Sequence, residues 1–354
     1  MKVIIVTDAW PPQVNGVVRT LQATRDELER CGHAVAVIAP QSFITVPCPG
    51  YPEIRLSVAP YRRLARMLKA ELVHDGEIAL HIATEGPLGR AARRFFLRSH
   101  IPFTTAYHTR YPQYLRAMFG VPERWTYAAL RRFHSASEIV MAPTASVEDE
   151  LRGIGIERVG VWTRGVDTEL FRPTEPMPLD VPKPIFAYVG RVSVEKNIEA
   201  FLELDLPGTK VIAGGGPALE RLRRRHDDAL FLGMLDSAPL ARLYSAADVF
   251  VFPSRTDTFG LVLLEALACG LPVAAYPVPG PQDVLGGSDV AVLDEDLRHA
   301  ALAALRIDRA RCREFALQRS WQHSTRQFAS LLRPTLMRHR AERALEADSA
   351  HLRS

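Results

Sequence analysis

Short apolar runs recur along the chain, with amphipathic stretches between them. Residues 2–7, KVIIVT, form the first run, and their unbroken apolar character before a loop fits a parallel strand buried on both faces. After the loop DAWPPQVNG, the segment VVRTLQATRDELERCGH repeats its apolar residues at helical spacing, and HAVAVIAP returns to strand character. The alternation continues through EIALHIA, a basic helix, PFTTAYH, EIVMAPT and VGVWTRG. It then lapses: the stretch from Gly165 to Pro184 has five prolines and little periodicity, the composition of a linker. A second alternation follows in PIFAYVG, KVIAGG, ALFLG, DVFVFPS and LPVAAYPV. The pattern predicts an α/β protein of two Rossmann-like domains, over 1–165 and 185–325, joined by the linker 166–184 and followed by a C-terminal helix and tail over 326–354. The tail from about Arg338 is polar enough to fray.

Composition agrees with two domains, since 354 residues at 47% hydrophobic and 24% charged can form sizeable cores. Cys31, Cys48, Cys269 and Cys312 have neither metal-ligand spacing nor the density of a disulfide framework, which fits a reducing cytoplasm. The apolar run after Lys2 ends by Thr7, too early for a signal peptide, and the longest membrane-span candidate, 261–280, contains Glu265 and three prolines. A net charge of +4 does not indicate nucleic acid, yet between Arg55 and Arg132 there are fourteen Lys or Arg against five Asp or Glu. In YRRLARMLKAEL (61–72) and GRAARRFFLRSH (89–100) arginines alternate with apolar residues at helical spacing. Such helices either lie on an anionic membrane with their apolar residues dipping in, or bury that side in the core and turn the arginines to water.

Candidate chemistry is densest in SRTDTFGLVLLEALACG, Ser254 to Gly270. Asp257 and Glu265 bracket a Phe-Gly step that opens an apolar helix, where an unpaired buried carboxylate would cost several kcal/mol. A polar partner for Glu265 is expected, and the N–H groups of Phe259, Gly260 and Leu261 would be open to an anionic or hydroxylated ligand. The segment alone also permits an N-cap Asp and a solvent-facing Glu. In YVGRVSVEKN, Arg191 and Lys196 follow a strand and could hold phosphate oxygens, or simply be solvated. Gly16, after Asn15, sits where the first loop becomes a helix and could bring N–H groups to a phosphate, although Asn-Gly is also a common turn. Gly214 to Gly216 before Pro217 read as a tight turn with proline starting a helix, or as a ligand contact. Asp294 and Asp296 of DED, ahead of LRHAALAALRI, read more simply as helix caps than as metal ligands, and no bound metal or cofactor is expected.

These motifs resemble, in order and spacing, family 4 retaining glycosyltransferases, particularly bacterial glycolipid-forming members. The resemblance spans roughly residues 1–330 through TDAWPPQVNGVVRT, TRGVDTELFRP, YVGRVSVEKN, AGGGP, ADVFVFPS and the acid, seven residues, Glu pattern. It departs at Asp257, where the family usually has Glu. It implies a GT-B architecture, two Rossmann-like domains facing across a cleft, with the C-terminal helices crossing back to the first domain. Arg191 and Lys196 would bind the donor diphosphate, Glu265 the ribose, and Asp257 with the backbone of Phe259, Gly260 and Leu261 the donor sugar. His108 would lie near the transferred sugar; without its flanking pattern it reads as a core or surface histidine, and Glu85 in TEGPLG as a loop cap or an acceptor-side residue. Base selection is expected near Leu232 to Met234.

The implied enzyme is a cytoplasmic, membrane-peripheral hexosyltransferase moving a sugar from a UDP-sugar such as UDP-glucose or UDP-glucuronate to a lipid such as diacylglycerol. Its partners would be the nucleotide sugar, the lipid acceptor and an anionic membrane surface. The alternatives are a GDP-mannose-dependent α-mannosyltransferase acting on a lipid or polysaccharide precursor, a UDP-sugar epimerase, and a non-catalytic nucleotide-binding partner.

Overall fold

The computed structural model describes residues 1–48, 51–109, 116 and 120–336. Part of TTAYHTRYPQY and the tail from Arg338 therefore lie outside the described residues. The chain divides into two compact units, one of Met1–Thr163 with the residues from Ser324 onward, the other of Arg164–His323. Val166 and Phe171, in the proline-rich stretch, are buried in the second unit's core.

The first unit runs β1 (Lys2–Val6), α1 (Gly16–Arg30), β2 (Ala34–Ile38), β3 (Thr45–Cys48), β4 (Tyr51–Ser57), α2 (Tyr61–Glu71), β5 (Glu77–Ile82), α3 (Pro87–Arg98), β6 (Thr104–Ala106), α4 (Glu123–His134), β7 (Val140–Ala142), α5 (Ala145–Gly153) and β8 (Val159–Val161). Its main sheet is parallel in the order β2-β1-β5-β6-β7-β8. Successive side chains of a strand point to opposite faces. In β1, Ile4 and Val6 enter one core with Leu64, Leu68, Phe95 and Phe96, while Val3 and Ile5 enter another with Leu21, Trp162 and Phe328. The antiparallel pair β3 and β4 forms a separate two-stranded sheet that the apolar pattern did not signal.

The second unit follows with β9 (Ile185–Val189), α6 (Ile198–Leu202), β10 (Thr209–Ala213), α7 (Leu219–Arg225), β11 (Ala229–Gly233), α8 (Ser237–Ala246), β12 (Val249–Phe252), α9 (Leu261–Ala268), β13 (Val273–Ala275), α10 (Pro279–Leu285), β14 (Ala291–Leu293), α11 (Leu297–Ala304) and α12 (Arg309–Leu317). Its sheet is parallel in the order β11-β10-β9-β12-β13-β14. Here too, Ile185, Ala187 and Val189 face one core and Phe186 and Tyr188 the other.

The last described elements are α13 (Trp321–Leu331) and β15 (Thr335–Leu336). β15 pairs antiparallel with the start of β5, and the Phe328 ring lies 4.7 Å from that of Trp162. The Trp162 indole N–H donates to Ser324 Oγ at 3.1 Å, so the first unit's core is completed by residues more than 150 positions further along.

The two basic helices take the core-facing alternative. α2 buries Leu64, Ala65 and Leu68 and exposes Arg62, Arg63 and Arg66; α3 buries Ala91, Ala92, Phe95 and Phe96 and exposes Arg90, Arg94 and Arg98. Most of the apolar residues that could dip into a membrane are thus occupied by the core, leaving rows of arginine at the surface with Leu97 beside them. Among the described residues no helix is long and apolar enough to cross a membrane.

Candidate functional site

In an open parallel sheet, ligands collect at the carboxyl ends of the two strands between which the winding direction reverses. In the second unit that point lies between β9 and β12, which are neighbours although β10 and β11 intervene in sequence. The loop after β9 carries Arg191 and Lys196, and the loop after β12 carries Asp257. Lys196 Nζ is ion-paired with Asp257 Oδ1, both side chains being less than one-fifth exposed. The other carboxylate oxygen, Asp257 Oδ2, is buried without a hydrogen-bond partner among the described residues. An acceptor left so costs about 1–3 kcal/mol until something donates to it. A ligand hydroxyl would do so.

The surrounding backbone is held closely. The Tyr188 hydroxyl donates to the Arg191 carbonyl at 2.8 Å, the Asn197 amide to the Pro253 carbonyl at 3.1 Å, and the Thr256 hydroxyl to the Glu195 carbonyl at 3.3 Å. The glycines of AGGGP are required by this loop. A Cβ on Gly214 would stand 1.8 Å from the Gly190 oxygen, and one on Gly216 2.3 Å from the Val192 oxygen. Pro217 does not start the helix as the turn reading supposed; α7 begins at Leu219, because Pro217 and Ala218 complete the turn against Val192.

Gly260, at φ +83°, precedes α9, and a Cβ there would press on Phe252 and Leu263 at 3.0–3.1 Å. The Phe259 side chain is buried in the core, leaving its backbone, with those of Gly260 and Leu261, as the part that can meet a ligand. Glu265 is also buried, and the Tyr244 hydroxyl donates to its Oε2 at 3.3 Å. Burial, reinforced by the Glu265 charge, pushes the nearby Cys269 thiol up to about 12, so it remains protonated. Asp296 caps α11, accepting from the N–H groups of Arg298 and His299. Asp294 accepts from the Asp296 N–H and meets His299 Nδ1 at 2.7 Å, and these two contacts hold its carboxyl below the ordinary range.

Gly16 and His108 lie in the first unit. Gly16 opens α1, whose Asn15 cap accepts from the Val18 N–H. His108 follows β6, its ring edge-on to Trp162 at 5.6 Å. The winding reversal of this unit lies between β1 and β5, and one residue missed from the sequence lies there. Asp8, after β1, accepts from the N–H groups of Leu88 (2.9 Å) and Gly89 (3.3 Å) and from the Thr84 hydroxyl (2.9 Å). The signal was an acid directly after the first strand. Burial raises its carboxyl above the ordinary 3.8, against the opposing pull of those three donors. The folded chain then holds the proton more tightly than the unfolded one, so this group's stabilising contribution is present below 3.8 and is lost as pH rises through the raised value. Asp8→Asn, which does not ionise, is expected to flatten that slope in urea midpoints taken between about pH 4 and pH 7. A slope unchanged in the variant would assign it elsewhere.

The chain matches the model for Glycosyltransferase Family 4 over residues 14–170 and that for Glycosyl transferases group 1 over 183–307. A GDP-mannose-dependent alpha-mannosyltransferase of Mycobacterium tuberculosis (strain CDC 1551 / Oshkosh) is 31% identical over 313 residues, covering 80% of this chain and 81% of the relative. The chain belongs to glycosyltransferase family 4. It is a hexosyltransferase of GT-B fold. Another relative of this family 4 enzyme, the alpha-monoglucosyldiacylglycerol synthase of Streptococcus pneumoniae (strain ATCC BAA-255 / R6), is 27% identical over 348 residues, covering 86% of this chain and 78% of the relative. Among solved structures, sucrose-phosphate synthase from Thermosynechococcus elongatus matches with a TM-score of 0.76 at 21% identity, over 93% of this chain and 98% of that one.

Proposed function

We propose that this family 4 enzyme moves a hexose, with retention of anomeric configuration, from a nucleotide sugar to a lipid hydroxyl at an anionic membrane surface. The observation that carries the transfer chemistry is the Lys196–Asp257 pair at the β9/β12 reversal, with Arg191 on the same loop and Asp257 Oδ2 awaiting a donor. In this reading the bond from the anomeric carbon to the diphosphate breaks while the acceptor oxygen bonds to the same face of that carbon. The acceptor's proton passes to the departing phosphate oxygen, and no protein nucleophile is needed. Arg191 and Lys196 stabilise the charge that grows on the leaving diphosphate. Asp257 Oδ2 accepts from a sugar hydroxyl, Glu265 from the ribose, and His108 stands beside the transferred sugar.

Of the two donors raised by the sequence, the mannosyltransferase relative supports GDP-mannose first, and the glucosyldiacylglycerol synthase supports a nucleotide-activated glucose second. The lipid acceptor is supported by the synthase's name and by the arginine rows of α2 and α3. Purified protein would be incubated with radiolabelled GDP-mannose or UDP-hexoses and anionic vesicles containing diacylglycerol. Label in the lipid phase supports the reading and names the donor; donor converted without an acceptor favours epimerisation instead. If membrane charge is what α2 reads, Arg62, Arg63 and Arg66 each contribute about 1 kcal/mol, and reversing all three to Glu should weaken vesicle binding at least about a hundredfold. Undiminished flotation of that variant with vesicles would remove α2 from the membrane surface.

A further inference from the structure

Behind Glu85 lies a buried chain of hydrogen bonds. Glu85 Oε1 meets His134 Nε2 at 3.1 Å, His134 Nδ1 meets Thr105 Oγ1 at 2.8 Å, and Thr105 Oγ1 lies 3.1 Å from Ser137 Oγ. His134 is wholly buried, and its ring is packed edge-on by Phe133 (4.9 Å) and Tyr107 (6.3 Å). With both nitrogens engaged and both sides packed, the imidazole has one orientation. It fixes the carboxylate in front of it.

Glu85 itself is not buried away. Its side chain is 13% exposed, and Oε2 has no hydrogen-bond partner among the described residues. The carboxylate follows β5, while Asp8 follows β1 and His108 follows β6. These three strands are parallel neighbours, so their carboxyl ends share one edge of the sheet. Glu85 therefore stands at the winding reversal of the first unit, one oxygen held from behind and the other open.

We propose that Glu85 Oε2 accepts the hydrogen bond of the acceptor hydroxyl and so orients its oxygen, and that His134, backed by Thr105, is the positioning residue that holds it. The proposal rests on the transferase reading above and takes no proton from the acceptor; that proton still leaves with the phosphate. Misdirecting a reacting atom by about 1 Å costs about a hundredfold.

Glu85→Gln sets an amide N–H where an acceptor is needed and should lower kcat/KM for the acceptor about a hundredfold, with donor KM held within about twofold. His134→Asn keeps an amide toward Thr105 but does not reach Glu85, and should lose about tenfold. His134→Gln carries an amide donor to the Nε2 position and should recover most of that loss. Because the two residues act as one unit, the double variant Glu85→Gln, His134→Asn should be no worse than Glu85→Gln alone. Each protein would be assayed with vesicle diacylglycerol and with free glycerol as acceptors. Wild-type protein that labels glycerol but not vesicle lipid sinks the lipid reading and leaves this comparison readable on glycerol. Variants matching wild type on the acceptor it uses, equal losses in His134→Asn and His134→Gln, or additive losses in the double variant would each overturn the proposal.

Discussion

Replacing Lys196 by alanine is expected to lower kcat about a thousandfold while changing donor KM far less. The ammonium lies against Asp257 at the β9/β12 reversal, where on the proposed reading a diphosphate gains charge as its bond to the sugar breaks. Its stabilisation is therefore greater in the transition state than in the bound donor, which is the condition for an effect on kcat. Alanine also leaves Asp257 without its cation, adding a repulsion that opposes the same charge. The double variant Lys196→Ala, Asp257→Asn separates the two contributions, because it removes the repulsion without restoring the cation. Lys196→Arg should recover only part, since a planar guanidinium on a longer stem does not reproduce a compact ammonium. Steady-state rates and donor KM from a radiolabel assay decide the matter. Unaltered turnover in Lys196→Ala would remove this side chain from the leaving-group role.

The second large effect is expected at Gly214. Its φ is +145°, and an added Cβ would meet the Gly190 carbonyl oxygen at 1.8 Å. Both partners are backbone, so no flexible side chain can give way, and the loop carrying Arg191 must move instead. Gly214→Ala is expected to destabilise the second unit by about 3 kcal/mol and to raise donor KM at least about tenfold. Gly287→Ala is the control. That glycine also has positive φ, +73°, but nothing lies within 4 Å of its Cβ position, so only the backbone penalty of about 1 kcal/mol remains. Urea midpoints and donor titrations of the two variants give the comparison. Equal behaviour would mean that the close approach of the two loops is not what the glycine serves.

The strands were legible because a parallel strand buried on both faces leaves a continuous apolar run. KVIIV and IFAYV are such runs, and each divides its side chains between two cores. The need for a partner at Glu265 was legible for a different reason, as a carboxylate among Leu263, Leu264 and Leu267 has no place in an apolar helix. The identity of that partner, Tyr244, was not, because the two belong to different helices. The same limit hid Asp8 and His134. Asp8 bonds residues 76 to 81 positions away and His134 bonds Glu85 across 49, distances at which local pattern has nothing to say. The β3/β4 pair was missed because Pro47 interrupts its apolar pattern; a two-stranded sheet is all edge, and an edge tolerates proline. The basic helices left two physical alternatives open at the sequence level, since one amphipathic pattern serves a core and a membrane equally. Burial of Leu64, Leu68, Phe95 and Phe96 shows that the core takes the apolar side and leaves the arginines at the surface.

The return of the chain to Trp162 also governs the order of events on the ribosome. Residues 164–323 form one uninterrupted unit, so that unit has every residue of its fold once His323 is made. The unit begun earlier does not: Ser324, Phe328 and the β15 strand that pairs with β5 emerge only afterwards. Domains generally fold in order of synthesis, N-terminal first. Here that order is reversed, and until the final turns of helix appear the nascent first unit exposes Trp162 and the apolar face of β1 to solvent and to chaperones. A stop codon just before Ser324 would thus leave the second unit whole and the earlier-made unit as the half that fails to close.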